Sequence, residues 1–131
     1  MLLKKVILAF IPPIAVFALH ILLVIGGFYF KAEWIDIPIH FLGGASIGYT
    51  FTSLLQIAKR KKLLGKTHNA ILLILVTSLV SLIAVFWELA EYLLAAATQI
   101  RWQSTISDTM LDLLMGLLGA PIGFLIRNKD K

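Results

Sequence analysis

The chain contains no cysteine. Disulfide frameworks, thiolate metal sites and cysteine nucleophiles are therefore excluded from the outset. Charge is also scarce. Only 15% of the residues are charged and 60% are hydrophobic, against about 25% and roughly 45–50% in soluble domains. At 131 residues the chain makes one domain. A soluble domain of that size buries too small a share of its surface to hide so much apolar side chain. An ordinary soluble enzyme, a disordered chain and a coiled coil are ruled out. Alternation of polar and apolar residues is missing too, which excludes the strands of a membrane barrel. No internal repeat, low-complexity stretch or long linker divides the chain.

What is present is a set of four long apolar segments, at about 6–30, 37–58, 70–97 and 107–126. Each approaches or exceeds the ~20 residues of a bilayer-crossing helix. The expectation is an all-α fold: one integral membrane domain over 1–131, built as a four-transmembrane-helix bundle. Short connections make sequential helices antiparallel neighbours. Lys4 and Lys5 before an apolar run also describe a secretory signal, but the run continues to Phe30, well past the apolar core of a signal. Pro12 and Pro13 belong to the first turns of this helix or kink it.

The net charge of +5 is a topology signal. Lys4 and Lys5 precede the first segment. Lys59, Arg60, Lys61, Lys62 and Lys66 lie between the second and third, and Arg127, Lys129 and Lys131 follow the fourth. Only Lys31 and Arg101 fall on the other side. The positive-inside rule then places a multi-pass protein in the cell membrane with both termini and the 59–69 connection in the cytoplasm. Anionic lipid headgroups would attract the basic side, and nucleic acid is not needed to explain it. Tyr29, Trp34 and Trp102 gather at the outer connections as an interfacial aromatic belt.

The seven acidic residues are more informative. Glu33 lies in the first outer connection and Asp130 in the tail. Asp36, Glu88, Glu91, Asp108 and Asp112 all fall on the outer half of the membrane segments. His40 and Asp112 lie one turn, ~6 Å, below the helix starts. Asp36 and His40, Glu88 and Glu91, and Asp108 and Asp112 are spaced by three or four residues, so each pair shares a helix face. Small residues continue these faces: Gly44 and Gly48 in the second segment, Thr77, Ser81 and Ala84 in the third, and Gly116, Gly119 and Gly123 in the fourth. Small residues let membrane helices approach closely, so the second, third and fourth helices are expected to form the core with the first peripheral.

Five carboxylates in a shared low-dielectric pocket cannot all remain charged unless protons, Lys31 and Arg101, or a bound cation relieve them. Oxygen donors with one imidazole suit a hard or borderline divalent ion such as Mg²⁺, Mn²⁺, Ca²⁺ or Zn²⁺. The expected ligands are Asp36, His40, Glu88, Glu91, Asp108 and Asp112. A plainer reading stands beside this one. Asp36 and Asp108 also suit helix starts, His40 can bond a neighbouring carboxylate, and Glu88, Glu91 and Asp112 can form a structural hydrogen-bond network. Trp87 and Tyr92 suit packing. His20 is read as a helix–helix hydrogen bond and His68 as a loop residue.

The motifs run in the order Asp36-x-Pro38-x-His40-Phe41, Trp87-Glu88-x-x-Glu91 and Asp108-Thr109-x-x-Asp112-x-x-x-Gly116-x-x-Gly119. This order resembles the VanZ-like and YjdF-like small integral membrane proteins of bacteria. Glu91 and Asp112 stand where the VanZ pattern has Gln and Asn, and the paired acids look closer to the YjdF type. The resemblance implies the fold and, from the VanZ side, a link to glycopeptide (teicoplanin) resistance and hence an envelope role.

Three functions fit. The first is a cation-binding protein of the cell envelope without chemistry of its own. The second is a metal-assisted membrane enzyme acting on a lipid-linked phosphate or ester, with Glu88, Glu91 or His40 as base. The third is a proton or divalent-cation transporter or channel subunit. The partners to expect are membrane lipids, a lipid-linked or glycopeptide ligand, and further copies of the chain in a homo-oligomer.

Overall fold

The computed structural model describes residues 2–98 and 105–129 and is all-helical, with no strand among the described residues. Its elements are α1 (Leu2–Ile25), the short α2 (Phe28–Lys31), a 3-10 turn (Glu33–Ile35), α3 (Asp36–Arg60), α4 (Asn69–Thr98) and α5 (Ile106–Lys129). Arg101 and Trp102, most of the 98–106 connection, Asp130 and Lys131 lie outside the described residues. The N-terminus of α1, the α3–α4 loop and the end of α5 carry the basic residues; this is called the basic end, and the opposite one the acidic end.

Three helices, α1, α4 and α5, are long and apolar enough to cross a membrane. The expected fourth, α3, has the length but not the composition. Its 25 residues bury Ser46, Thr50, Thr52, Ser53 and Gln56 among glycines. The physical reason is position: α3 packs against α1, α4 and α5, so it has less need of an apolar surface. Its hydroxyls bond back to the helix, as with Thr52 to the Gly48 carbonyl at 2.7 Å, or across to α1, as with Thr50 to the Ala9 carbonyl at 2.7 Å.

The first helix does not run to Phe30. It stops at Ile25, where Gly26 and Gly27 close the last turn onto the carbonyls of Leu22 and Val24. Gly27 takes a left-handed φ of 66° that residues with a Cβ rarely adopt, and the chain turns into α2. Because α1 begins at Leu2, Pro12 and Pro13 lie in its interior rather than in its first turns.

The tightest pair is not sequential. α3 and α5 run parallel, joined through a seam of small residues. A Cβ on Gly44 would strike the Gly116 backbone, one on Gly48 that of Ala120, one on Gly119 those of Phe41 and Ala45, and one on Gly123 those of Ala45 and Tyr49. Only glycine allows backbones this close. Towards the basic end Leu72, Val76 and Val80 of α4 meet Ala120 and Phe124 of α5 in an apolar core. Thr77 and Ser81, expected on this packing face, are half-buried beside it, with Ser81 donating to the Thr77 carbonyl. At the basic end itself Arg127 Nε donates to Ser53 at 2.8 Å. α1 is peripheral in part: it buries only Ala9 and His20 and leaves Ile7, Leu8, Ile11, Ile14 and Leu22 exposed.

The seam makes a paired prediction. Gly123→Ala, which sets a methyl group against backbone, should destabilise the protein by about 1–3 kcal/mol. Gly43→Ala lies on α3 at a position where a Cβ meets nothing within 4 Å, and should be neutral. Thermal unfolding of both variants in detergent checks this; equal losses would refute the seam.

Candidate functional site

The acidic end is built on the first turns of α3 and α5 and the last turns of α4. At the start of α3 the N-cap position is Ile35, with no side-chain cap. Asp36 is thus not the cap that its place before Pro38 suggested. It turns inward, and its Oδ1 lies 3.3 Å from Nε2 of His40, one turn on. On α5 the cap is Thr105, whose Oγ1 accepts the Asp108 backbone N–H at 3.2 Å.

His40 is the hub. Its Nδ1 faces Glu88 Oε1 at 3.7 Å, and its Nε2 faces Asp112 Oδ1 at 3.9 Å as well as Asp36. Two groups of donors result, each with its ligand atoms within 4.8 Å of one another: Asp36, His40 and Asp112, and His40, Glu88 and Glu91. Five of the six expected ligands thus come together. The sixth, Asp108, belongs to neither group, because it sits a turn nearer the helix end, where the chain enters α5.

The cluster is buried: Glu88, Glu91 and Asp112 are 6%, 5% and 2% exposed. Yet His40 Nε2 and Asp112 Oδ1 make no hydrogen bond. A buried polar atom left unpaired costs about 1–3 kcal/mol, so the pair calls for a partner. The spacings are longer than good hydrogen bonds. They are close to those of ligands sharing an ion, since two donors ~2.1 Å from a common metal stand roughly 3–3.5 Å apart.

A second imidazole joins from α1. His20 is buried, its Nδ1 is 2.8 Å from the Tyr29 hydroxyl, and its Nε2 lies 3.9 Å from Glu91 Oε1. Trp87 packs edge-on against His20 and Phe17, with centroids 5.2 and 5.9 Å away, which ties α4 to α1. Sequence reading assigned His20 only a helix–helix contact. Its polarity within an apolar run, six residues before Gly26, is the one hint in the sequence that it belongs here. Trp34 and Tyr92 are exposed at this end, as interfacial aromatics would be. Beneath the two histidines an apolar cleft of about 120 Å³ separates α1 from α4, floored by α3.

Residues 3–129 match the model of a family described as "Predicted membrane protein (DUF2238)". No curated protein and no solved structure matches the chain.

Neutral isosteres should relieve the crowded charge. In cation-free detergent solution Glu88→Gln should keep or raise the melting temperature. Glu88→Leu, which removes the hydrogen-bonding group, should cost about 1–3 kcal/mol. Differential scanning calorimetry of the two variants decides; a large loss in Glu88→Gln would mean that the charge itself holds the fold.

Proposed function

The chain belongs to the DUF2238 family of predicted membrane proteins, and for this member we propose a cell-envelope role in which the cluster around His40 holds a divalent cation. The observation that carries the reading is the pair of buried, unbonded atoms, His40 Nε2 and Asp112 Oδ1, set among carboxylates from three helices. Oxygen donors with one imidazole favour Mg²⁺, Mn²⁺, Ca²⁺ or Zn²⁺. Asp36, His40 and Asp112 form one face of the site, and Glu88 and Glu91 approach the other nitrogen of His40.

In this reading α3 crosses the cell membrane together with α1, α4 and α5. Both termini lie in the cytoplasm, and the cluster lies near the outer headgroups. The ten-to-two split of bases between the two ends supports that orientation. The likeness of the motifs to VanZ-like and YjdF-like proteins supports the envelope role. A second reading, metal-assisted hydrolysis of a lipid-linked phosphate or ester, is favoured by the depth of the cluster. Asp36 opens α3 and His40 is one turn in, which is headgroup level. A cation there would polarise a phosphoryl oxygen or activate water, with Glu88 or Glu91 as base. Transport through a single copy is disfavoured by the apolar core of Leu72, Val76, Val80, Ala120 and Phe124, which lies between the cluster and the basic end.

Metal analysis of detergent-purified protein tests the cation. Wild type should carry about one equivalent, and Asp36→Asn and Asp112→Asn should lose it; a metal-free wild type dialysed against each of the four ions would overturn the reading. Orientation is tested separately. The natural chain has no cysteine, so Glu33→Cys and Lys62→Cys each give a single thiol. A membrane-impermeant maleimide should label the first and not the second in intact cells.

A further inference from the structure

The cleft beneath the two histidines has a direction. On α1 it runs from His20 to Pro13, on α3 from Ile39 to Ile47, and on α4 from Trp87 to Val80. These stretches advance by seven or eight residues, ~10–12 Å at 1.5 Å per residue. The cleft is therefore a groove parallel to the helices, about two turns long, with its polar end at the acidic cluster and its apolar end towards the middle of the bundle. Its width is set by an absence. Gly43 lines it, and a Cβ built there meets nothing within 4 Å. This differs from the seam glycines of the same helix, which are pressed against backbone. Spacing for helix packing therefore does not require glycine at position 43; what the glycine leaves is open groove. A void of about 120 Å³ is of the size that accepts a benzene-like group of about six carbons when apolar.

We propose that this groove seats the first carbons of one hydrocarbon chain of a membrane phospholipid, with the phosphate held at the His40 end. The shape and lining select the occupant: a chain aligned with the helices fits a groove that runs along them and is apolar, and a compact polar solute does not. Phe17 and Trp87 meet across α1 and α4 at its upper end, so the chain enters from the side, below this contact. The phosphate half rests on the cation reading above. A hard cation held by three side chains keeps positions that water or phosphate oxygens fill, and a phosphate at the His40 end of the groove would supply them. The chain half rests only on the groove.

The experiment is native mass spectrometry of the detergent-purified protein titrated with phosphatidylglycerol, and with diacylglycerol of the same chains, in Mn²⁺ and in EDTA. Wild type should retain one phosphatidylglycerol. Gly43→Leu and Gly43→Phe, which fill the groove, should weaken retention tenfold or more in that order of size, with helix content and bound Mn²⁺ unchanged. Retention equal to wild type in both folded variants overturns the seat, and so does displacement of the lipid by a second copy of the chain. The preference for phosphatidylglycerol over diacylglycerol should be at least tenfold in Mn²⁺ and vanish in EDTA and in Asp112→Asn. A preference that persists without cation overturns the phosphate contact. Should wild type bind no metal at all, loss of both lipids in the Gly43 variants still upholds the chain seat while the cation reading fails.

Discussion

The contact of the α3 and α5 backbones fixes everything at the acidic end. These helices run parallel, and four of their contacts share an offset of 72 residues: Gly44 meets Gly116 and Gly48 meets Ala120, His40 faces Asp112, and Gln56 reaches Asn128 at the basic end. One helical turn above the first glycine contact, the same register puts an imidazole beside a carboxylate. With bulkier residues in the seam the helices would stand at an ordinary separation of 8–10 Å, and His40 and Asp112 would be parted. The close approach is thus a structural matter of glycine with a chemical result.

α4 and α1 complete the arrangement by different means. α4 runs against the pair and delivers Glu88 and Glu91 from the far side, anchored below by Leu72, Val76 and Val80. α1 holds by one hydroxyl bond, Thr50 to Ala9, and by the packing of His20 and Phe17 on Trp87. Those two anchors lie at different heights, and the groove opens beside the upper one. A protein whose first helix were pressed evenly along α4 would have no groove.

Much of the site was legible in the sequence because a membrane makes polarity expensive. Asp112, Glu88 and Glu91 stand out in apolar runs, and spacings of three and four residues fix their faces whatever the tertiary detail. The parallel pairing of α3 and α5 was visible only as a likeness between two segments that both open with an acid and continue in glycines. Sequence alone does not say that two similar faces touch each other. Asp108 was grouped with the site because its i, i+4 relation to Asp112 holds on an ideal helix, but one turn of height separates a pocket from its rim. His20 was passed over because a lone histidine carries no spacing signal; its partners Tyr29 and Glu91 are far apart in the chain. The break at Gly26-Gly27 was hidden inside an apolar run, where composition alone does not mark the end of a helix.

The polar interior of α3 also bears on how the protein is made. In the four-span arrangement proposed above, this segment would leave the insertion machinery carrying buried hydroxyls, a glutamine and a histidine, a poor candidate for partition into lipid by itself. α1 emerges before it and supplies an acceptor for Thr50. α4 and α5, which cover the rest, are synthesised only later. α3 must therefore wait at a protein-lined or aqueous boundary until its neighbours arrive, and the seam that assembles the cluster around His40 closes as the last step of biogenesis.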